Sequence, residues 1–270
     1  MDSSLVDSPE GPSPGDRAST ALVAKTFLRF LLLGFGSLVA LYAIQLVLYV
    51  GAVLVVGSVS PTGFLAQILT FLSLGLGTLL VATAYLNYSG RDWSFVDVEV
   101  PGLRDVAWTL GGFVILLLGF FAVISAFDVL GVSTAEHSST DTVASASPGI
   151  IALFVVASLL VIGPGEELLY RNVIQKSMYD VTSKPVAVVL GGVIFAAVHI
   201  PAYSAGGAGP GAVASTLVAI FVLSLVLGGV YVLTENVLVP AVIHGLYNAL
   251  SFYSTYATGG GASEAMLGLF

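Results

Sequence analysis

Seven apolar stretches divide the chain, at about 27–56, 64–86, 107–130, 149–171, 185–200, 212–234 and 237–257. Most have the length a helix needs to cross a bilayer, roughly 20 residues. The first is long enough to tilt or to hold a break near Gly34 and Gly36, and the fifth is short. Gly and Ala recur in most of them, which lets neighbouring helices approach closely. The pattern predicts an all-α polytopic membrane protein with about seven transmembrane helices and any active site inside the helical bundle. Polar segments frame the spans. Residues 1–24 are rich in Pro, Ser and Asp at their start and read as a disordered tail without the basic region of a cleaved signal peptide. Residues 25–148 hold helices 1–3, residues 149–257 a C-terminal helical core, and residues 258–270 a short tail. Segment 91–106 mixes Trp93, Phe95 and Val100 with charges and is expected to lie along the membrane interface.

Composition agrees with this division. Only 24 of 270 residues are charged, 8 basic and 16 acidic, and 57% are hydrophobic. A soluble domain would carry about a quarter charged residues and could not hide so much apolar surface. The net charge of −8, without clustered Lys or Arg, excludes nucleic acid as a partner. The absence of cysteine excludes thiol catalysis, disulfides and cysteine metal sites. Lys and Arg occur before span 1, between spans 2 and 3, and between spans 4 and 5, whereas 57–63, 131–148 and 201–211 have none. The positive-inside rule then predicts a multi-pass protein of the cell membrane with a cytoplasmic N-terminus and an external C-terminus.

Thirteen of the 24 charges lie in residues 1–29 and 87–106, so the remainder can be weighed singly. Asp128 falls at the end of span 3 and reads as interfacial. His137 lies in a Ser/Thr-rich loop and is expected in solvent, and Glu235 with Asn236 reads as a tight turn. Glu166, Glu167 and Arg171 after span 4, His199 in span 5, and His244 with Asn248 in span 7 are harder to explain away, because ionisable groups in a span are costly. In Gly-Pro-Gly-Glu-Glu-Leu-Leu-Tyr-Arg (163–171), Pro164 is expected to break the helix. Glu166 and Glu167 would then open a new one, where its dipole favours carboxylates. Arg171 follows Glu167 by four residues and can pair with it, leaving Glu166 in a different environment suited to acid–base work. The bland alternative is an ion pair that only fixes packing. Phe195 precedes His199 by one helical turn, and His244 and Asn248 share a face.

A hairpin turn near Thr182 and Ser183 would set Glu166 and His199 at one level, about 25 Å from that turn. His244 is only about 10 Å from the turn between spans 6 and 7. The polar stretch Asn172, Gln175, Lys176, Ser177 and Asp180 suggests that the 4–5 hairpin projects into the cytoplasm, which would reduce that mismatch. The chemistry available is a Glu/His-activated water with an oxyanion held by His244 and Asn248. Alternatively, Zn²⁺ could be held by Glu166, His199 and His244. The sequence lacks H-E-x-x-H, a membrane G-x-S-x-G and a pair of membrane aspartates.

The order E-E-x-x-x-R (Glu166, Glu167, Arg171), F-x-x-x-H (Phe195, His199) and H-x-x-x-N (His244, Asn248) resembles the CPBP family of type II CAAX prenyl proteases and bacteriocin-processing, Abi-like or immunity-type membrane proteins. The resemblance covers about residues 149–257. It departs at Tyr170, where Phe is frequent, and at Asn172, where Gly is common. It implies an intramembrane endopeptidase acting on a membrane-associated protein or peptide. Glu166 would be the base for water, helped by His199. Glu167 and Arg171 would order the site, and His244 with Asn248 would stabilise the oxyanion, with or without a metal. A non-catalytic scaffold of the same fold and an ion-coupled transporter remain as alternatives.

Overall fold

The computed structural model describes residues 19–260, and every regular element among them is helical. The expected tail at 1–24 and C-terminal segment at 258–270 fall largely outside these residues. Seven long helices follow one another: α1 (Thr20–Val56), α2 (Phe64–Ser89), α3 (Leu103–Val129), α4 (Pro148–Met178), α5 (Lys184–Ser204), α6 (Pro210–Thr234) and α7 (Leu238–Ala257). The first six are long and apolar enough to cross a membrane. The seventh has 20 residues, but His244, Asn248 and several hydroxyl groups dilute its apolar character.

Local chemistry sets the ends. Ser19 caps α1 by accepting from the Leu22 N–H, and Gly90 closes α2 in a left-handed conformation. Asp105 accepts from the Gly102 N–H at the start of α3. Proline stands in the first turn of α4, α5 and α6, where its missing N–H has no intrahelical partner to lose. α1 runs 37 residues without a break. At about 55 Å it exceeds a hydrocarbon core of about 30 Å, so it tilts or extends beyond it. Gly34 packs on Ile194 and Val198 of α5.

The outer face is apolar: Leu32, Leu54, Val55, Leu118 and Leu160 are all well exposed. Water would penalise this face, and lipid does not. Three buried clusters lie inside. One joins α1, α2, α4 and α5 around Phe30, Leu86, Leu169 and Ile194. The second joins α3, α6 and α7 around Leu116, Leu227 and Ile243. The third joins α2, α4 and α7 around Phe71, Phe154 and Ile162. The candidate site lies where these clusters meet.

α4 corrects one expectation. It does not break at Pro164. The helix widens to π-helical hydrogen bonding at Ser158–Ile162 and again at Leu168–Gln175, and it runs through the proline. A proline ring crowds the carbonyl four residues earlier, and the looser π register just before it relieves that clash. Glu166 and Glu167 therefore lie in mid-helix, with no free helix N-terminus beneath them.

Segment 91–101 folds against the ends of α4, α6 and α7. Lys176 pairs with Asp97 at 2.6 Å, Tyr231 donates to Asp97 Oδ2 at 2.5 Å, and the Asp97 N–H donates to Asn172 Oδ1. The Asn236 side chain, in the α6–α7 turn, donates to the Glu99 carbonyl.

Candidate active site

Two of the site's glutamates come from α4, where they have different surroundings. Glu167 and Arg171 are fully buried. The Arg171 Nε donates to Glu167 Oε2 at 2.8 Å, and its Nη1 donates to Ser224 Oγ of α6 at 2.8 Å. His244 Nδ1, 2.9 Å from Glu167 Oε1, donates to the other carboxylate oxygen. Both Glu167 oxygens are thus engaged, one by α4 itself and one by α7. This is the arrangement that lets a buried charge persist, since each ion has a partner and further hydrogen bonds.

Glu166 faces the other way. It retains some exposure, its Oε2 has no hydrogen-bond partner among the described residues, and that atom lies 3.8 Å from His244 Nε2. With Nδ1 committed to Glu167, His244 presents Nε2 to Glu166. The equivalent question for His199 has a simple answer. Its Nδ1 lies 2.7 Å from the Phe195 carbonyl oxygen. A carbonyl can only accept, so Nδ1 carries the proton of the neutral ring and Nε2 is left as an acceptor.

Phe195 is the hub between these groups. Its ring lies 4.6 Å from His199, 5.8 Å from His244 and 5.0 Å from Tyr170, and the Arg171 guanidinium carbon is 5.0 Å from its centre. A tilted contact with His199 and an edge-on contact with His244 set both imidazoles against this one ring.

The helices that carry Glu167 and His244 come unusually close. A Cβ on Gly163 would sit 2.4 Å from the Ala241 carbonyl oxygen, and one on Gly245 would sit 2.7 Å from that of Ser158. Only glycine permits this backbone contact between α4 and α7.

Glu166, His199, His244 and Asn248 line one cavity of about 650 Å³, within the usual range for ligand sites. Glu167 and Arg171 stand behind its wall. The structure brings Glu166 and His244 to one level despite the depth mismatch expected from sequence, with Oε2 3.8 Å from Nε2. α4 ends at Met178, and Asn172 hydrogen-bonds Tyr231 shortly before the α6–α7 turn. Glu166 lies six residues above that contact, about 9 Å, and His244 lies about 9 Å above Leu238. Lys184 and Glu235 pair across the two turns at 2.6 Å.

Sequence reasoning missed several members. Ser224 has no signal in an apolar helix. Tyr203 and Tyr247 line the cavity among ordinary aromatics. His137, expected in solvent, is half-buried against Tyr203. Burial holds it down to about 4, and repulsion by His199 adds to the effect. Asp128 also faces the rim of the cavity.

As for a metal, Glu166, His199 and His244 do not form a ligand set. Among the described residues no group of three or more His, Asp or Glu side chains is arranged to hold a metal ion.

The chain matches no curated protein and no solved structure at a significant level. Its residues 148–250 do match a family model, and the stretch contains every motif residue described above. It also coincides with the helices that build the cavity's reactive wall. Over residues 148–250 the chain is therefore similar to the type II CAAX prenyl endopeptidase Rce1-like family.

Proposed function

We propose that the protein is an intramembrane endopeptidase that hydrolyses a peptide bond of a membrane-associated protein by activating water with Glu166. The observation that carries this reading is the division of labour between the adjacent carboxylates. Glu167 is saturated by Arg171 and His244, whereas Glu166 has an unpartnered oxygen at the cavity wall.

We place the water to be activated between Glu166 and His199, which line the same cavity. Glu166 accepts the water proton as the hydroxide attacks the scissile carbonyl, and the acceptor Nε2 of His199 orients the second water hydrogen. The tetrahedral oxyanion forms toward α7. A His244 ring protonated on both nitrogens would donate to Glu167 and to the oxyanion at once, with the Asn248 amide as the second donor. Collapse of the intermediate returns the proton from Glu166 to the leaving amine. Glu167 and Arg171 touch no reacting atom in this scheme. They hold His244 in place, as an orienting carboxylate does in a hydrolytic triad.

Support comes from the family of residues 148–250 and from the apolar helices that would deliver a membrane-anchored substrate. By the distribution of Lys and Arg, the N-terminus and the 4–5 hairpin face the cytoplasm. The test is cleavage of a fluorogenic membrane-anchored peptide, prenylated at a C-terminal cysteine motif or spanning the bilayer, in proteoliposomes. Glu166→Ala and His199→Ala should each lower kcat by about 10²–10⁴-fold, the range of a positioned acid or base. Cleavage at the parent rate by both variants would overturn the mechanism.

A further inference from the structure

The rim of the cavity is built by the α3–α4 connection, which the hydrolytic scheme above does not use. This connection is tied down at two points. The Ser138 N–H donates to the Ala202 carbonyl of α5 at 2.9 Å. The Ala135 N–H donates to Thr216 Oγ1 of α6 at 2.8 Å, and the Thr216 hydroxyl reaches the Ala135 carbonyl at 3.2 Å. Between these ties stands His137. Its Nδ1 receives the Ser139 N–H at 3.1 Å and lies 2.8 Å from Ser139 Oγ. A backbone N–H can only donate, so Nδ1 is the acceptor and the ring is fixed from behind. The ring then meets Tyr203 edge to face, with centroids 5.1 Å apart and planes at 82°.

Tyr203 follows His199 by four residues, so the two side chains share a face of α5. Both line the cavity. The Tyr203 side chain is only partly buried, and its hydroxyl has no hydrogen-bond partner among the described residues. A phenol held rigidly beside a reactive histidine, with a free hydroxyl, is suited to meeting a ligand that brings its own acceptor. A peptide unwound for cleavage brings such acceptors. Its carbonyls lose their helical partners and would be left unsatisfied in an apolar cavity.

Resting on the endopeptidase reading, we propose that Tyr203 contacts the substrate, donating its O–H to a peptide carbonyl next to the scissile bond. His137 is the positioning residue that sets the Tyr203 ring. The substrate class this selects is an extended backbone rather than a helix, because a helical carbonyl is already bonded. The contact serves binding more than chemistry, so its loss falls on KM.

The experiment uses the full chain in proteoliposomes with two fluorogenic peptides, one farnesylated at a C-terminal cysteine motif and one single-span. Cleavage is measured directly, and binding is measured by anisotropy in the Glu166→Gln background. Tyr203→Phe should raise KM and weaken binding about three- to tenfold, with kcat within twofold and thermal unfolding unchanged, as the loss of one neutral hydrogen bond implies. His137→Ala should do the same, and His137→Phe, which keeps an aromatic edge, should restore the parent value. The double variant Tyr203→Phe/His137→Ala should be no worse than Tyr203→Phe alone. Binding and cleavage by Tyr203→Phe at the parent level would overturn the substrate contact. Parent behaviour of His137→Ala would overturn the positioning role. Binding that depends on Tyr203 without any cleavage would leave the contact standing and refute the peptidase reading. A parent protein that binds neither peptide would refute both.

Discussion

Glu167 shows how much one side chain can constrain. It is enclosed between a guanidinium and an imidazole, with no exposed surface, so removing either partner strands a charge in an apolar bundle. Arg171→Met should therefore lower stability by about 3–5 kcal/mol, the usual cost of breaking a buried pair from one side. The paired change Glu167→Gln/Arg171→Met should be milder, and unfolding in detergent would compare the two. His137 permits a pH argument. Its folded value of about 4 lies below the ordinary 6.5. The open loop therefore binds more protons between those values. The closed loop should lose stability as pH falls from about 6.5 to about 4, with no change above that window. Protection factors of the Ala135 and Ser138 amides, followed by hydrogen exchange, should fall over that window and stay flat in His137→Gln. At this scale the sequence was unevenly legible. Glu166, Glu167, Arg171, His199, His244 and Asn248 stood out because charge and amide groups are rare in spans. Ser224 and Tyr203 did not, because a hydroxyl or phenol in an apolar helix is ordinary until its neighbour is known.

Among the elements, the crossing of α4 and α7 decides whether the site exists. Gly163 and Gly245 allow backbone to touch backbone there, and any added Cβ must push the helices apart. Gly245→Ala should cost about 1–3 kcal/mol by overpacking. It should also cut cleavage far more than that stability loss alone would, because His244 is the neighbouring residue. Parallel measurement of unfolding and kcat would separate the effects, and a variant with parent activity would contradict the role assigned to this contact. The local pattern predicts a helix start at Pro164. That expectation fails because proline propensity describes an isolated α-helix, whereas packing against α2 and α7 holds α4 in a continuous helix with π turns. The glycine contact was legible only as a general abundance of small residues, since which pair meets depends on crossing geometry.

For the whole molecule, the bilayer class was plain from the scarcity of charge, and the helix order follows from the spacing of apolar stretches. The seventh helix is the exception to hydropathy: its polar groups face the cavity, so the residues that matter for function also weaken the span signal. The depth of the site was not legible, because it depends on where α4 ends and on how segment 91–101 braces the helix ends. Since the proposed scheme activates water with Glu166 and His199 alone, dialysis against a chelator should leave cleavage and thermal unfolding unchanged. Loss of activity restored by Zn²⁺ would refute this.

The partners of α4 also have a consequence for the order of synthesis. Ser224 and His244 lie 53 and 77 residues downstream of the groups they satisfy. When α4 leaves the ribosome, Arg171 has Glu167 one turn away but lacks the later helices, and Glu166 lacks His244, whose Nε2 lies 3.8 Å from its Oε2 in the folded chain. Charged residues at a span centre raise the cost of insertion by about 2.5–3.5 kcal/mol each on translocon scales. Stable integration of the fourth span is thus completed only after the sixth and seventh have been made. A lesion in those late helices would then act on biogenesis, exposing an earlier, unaltered segment to quality control.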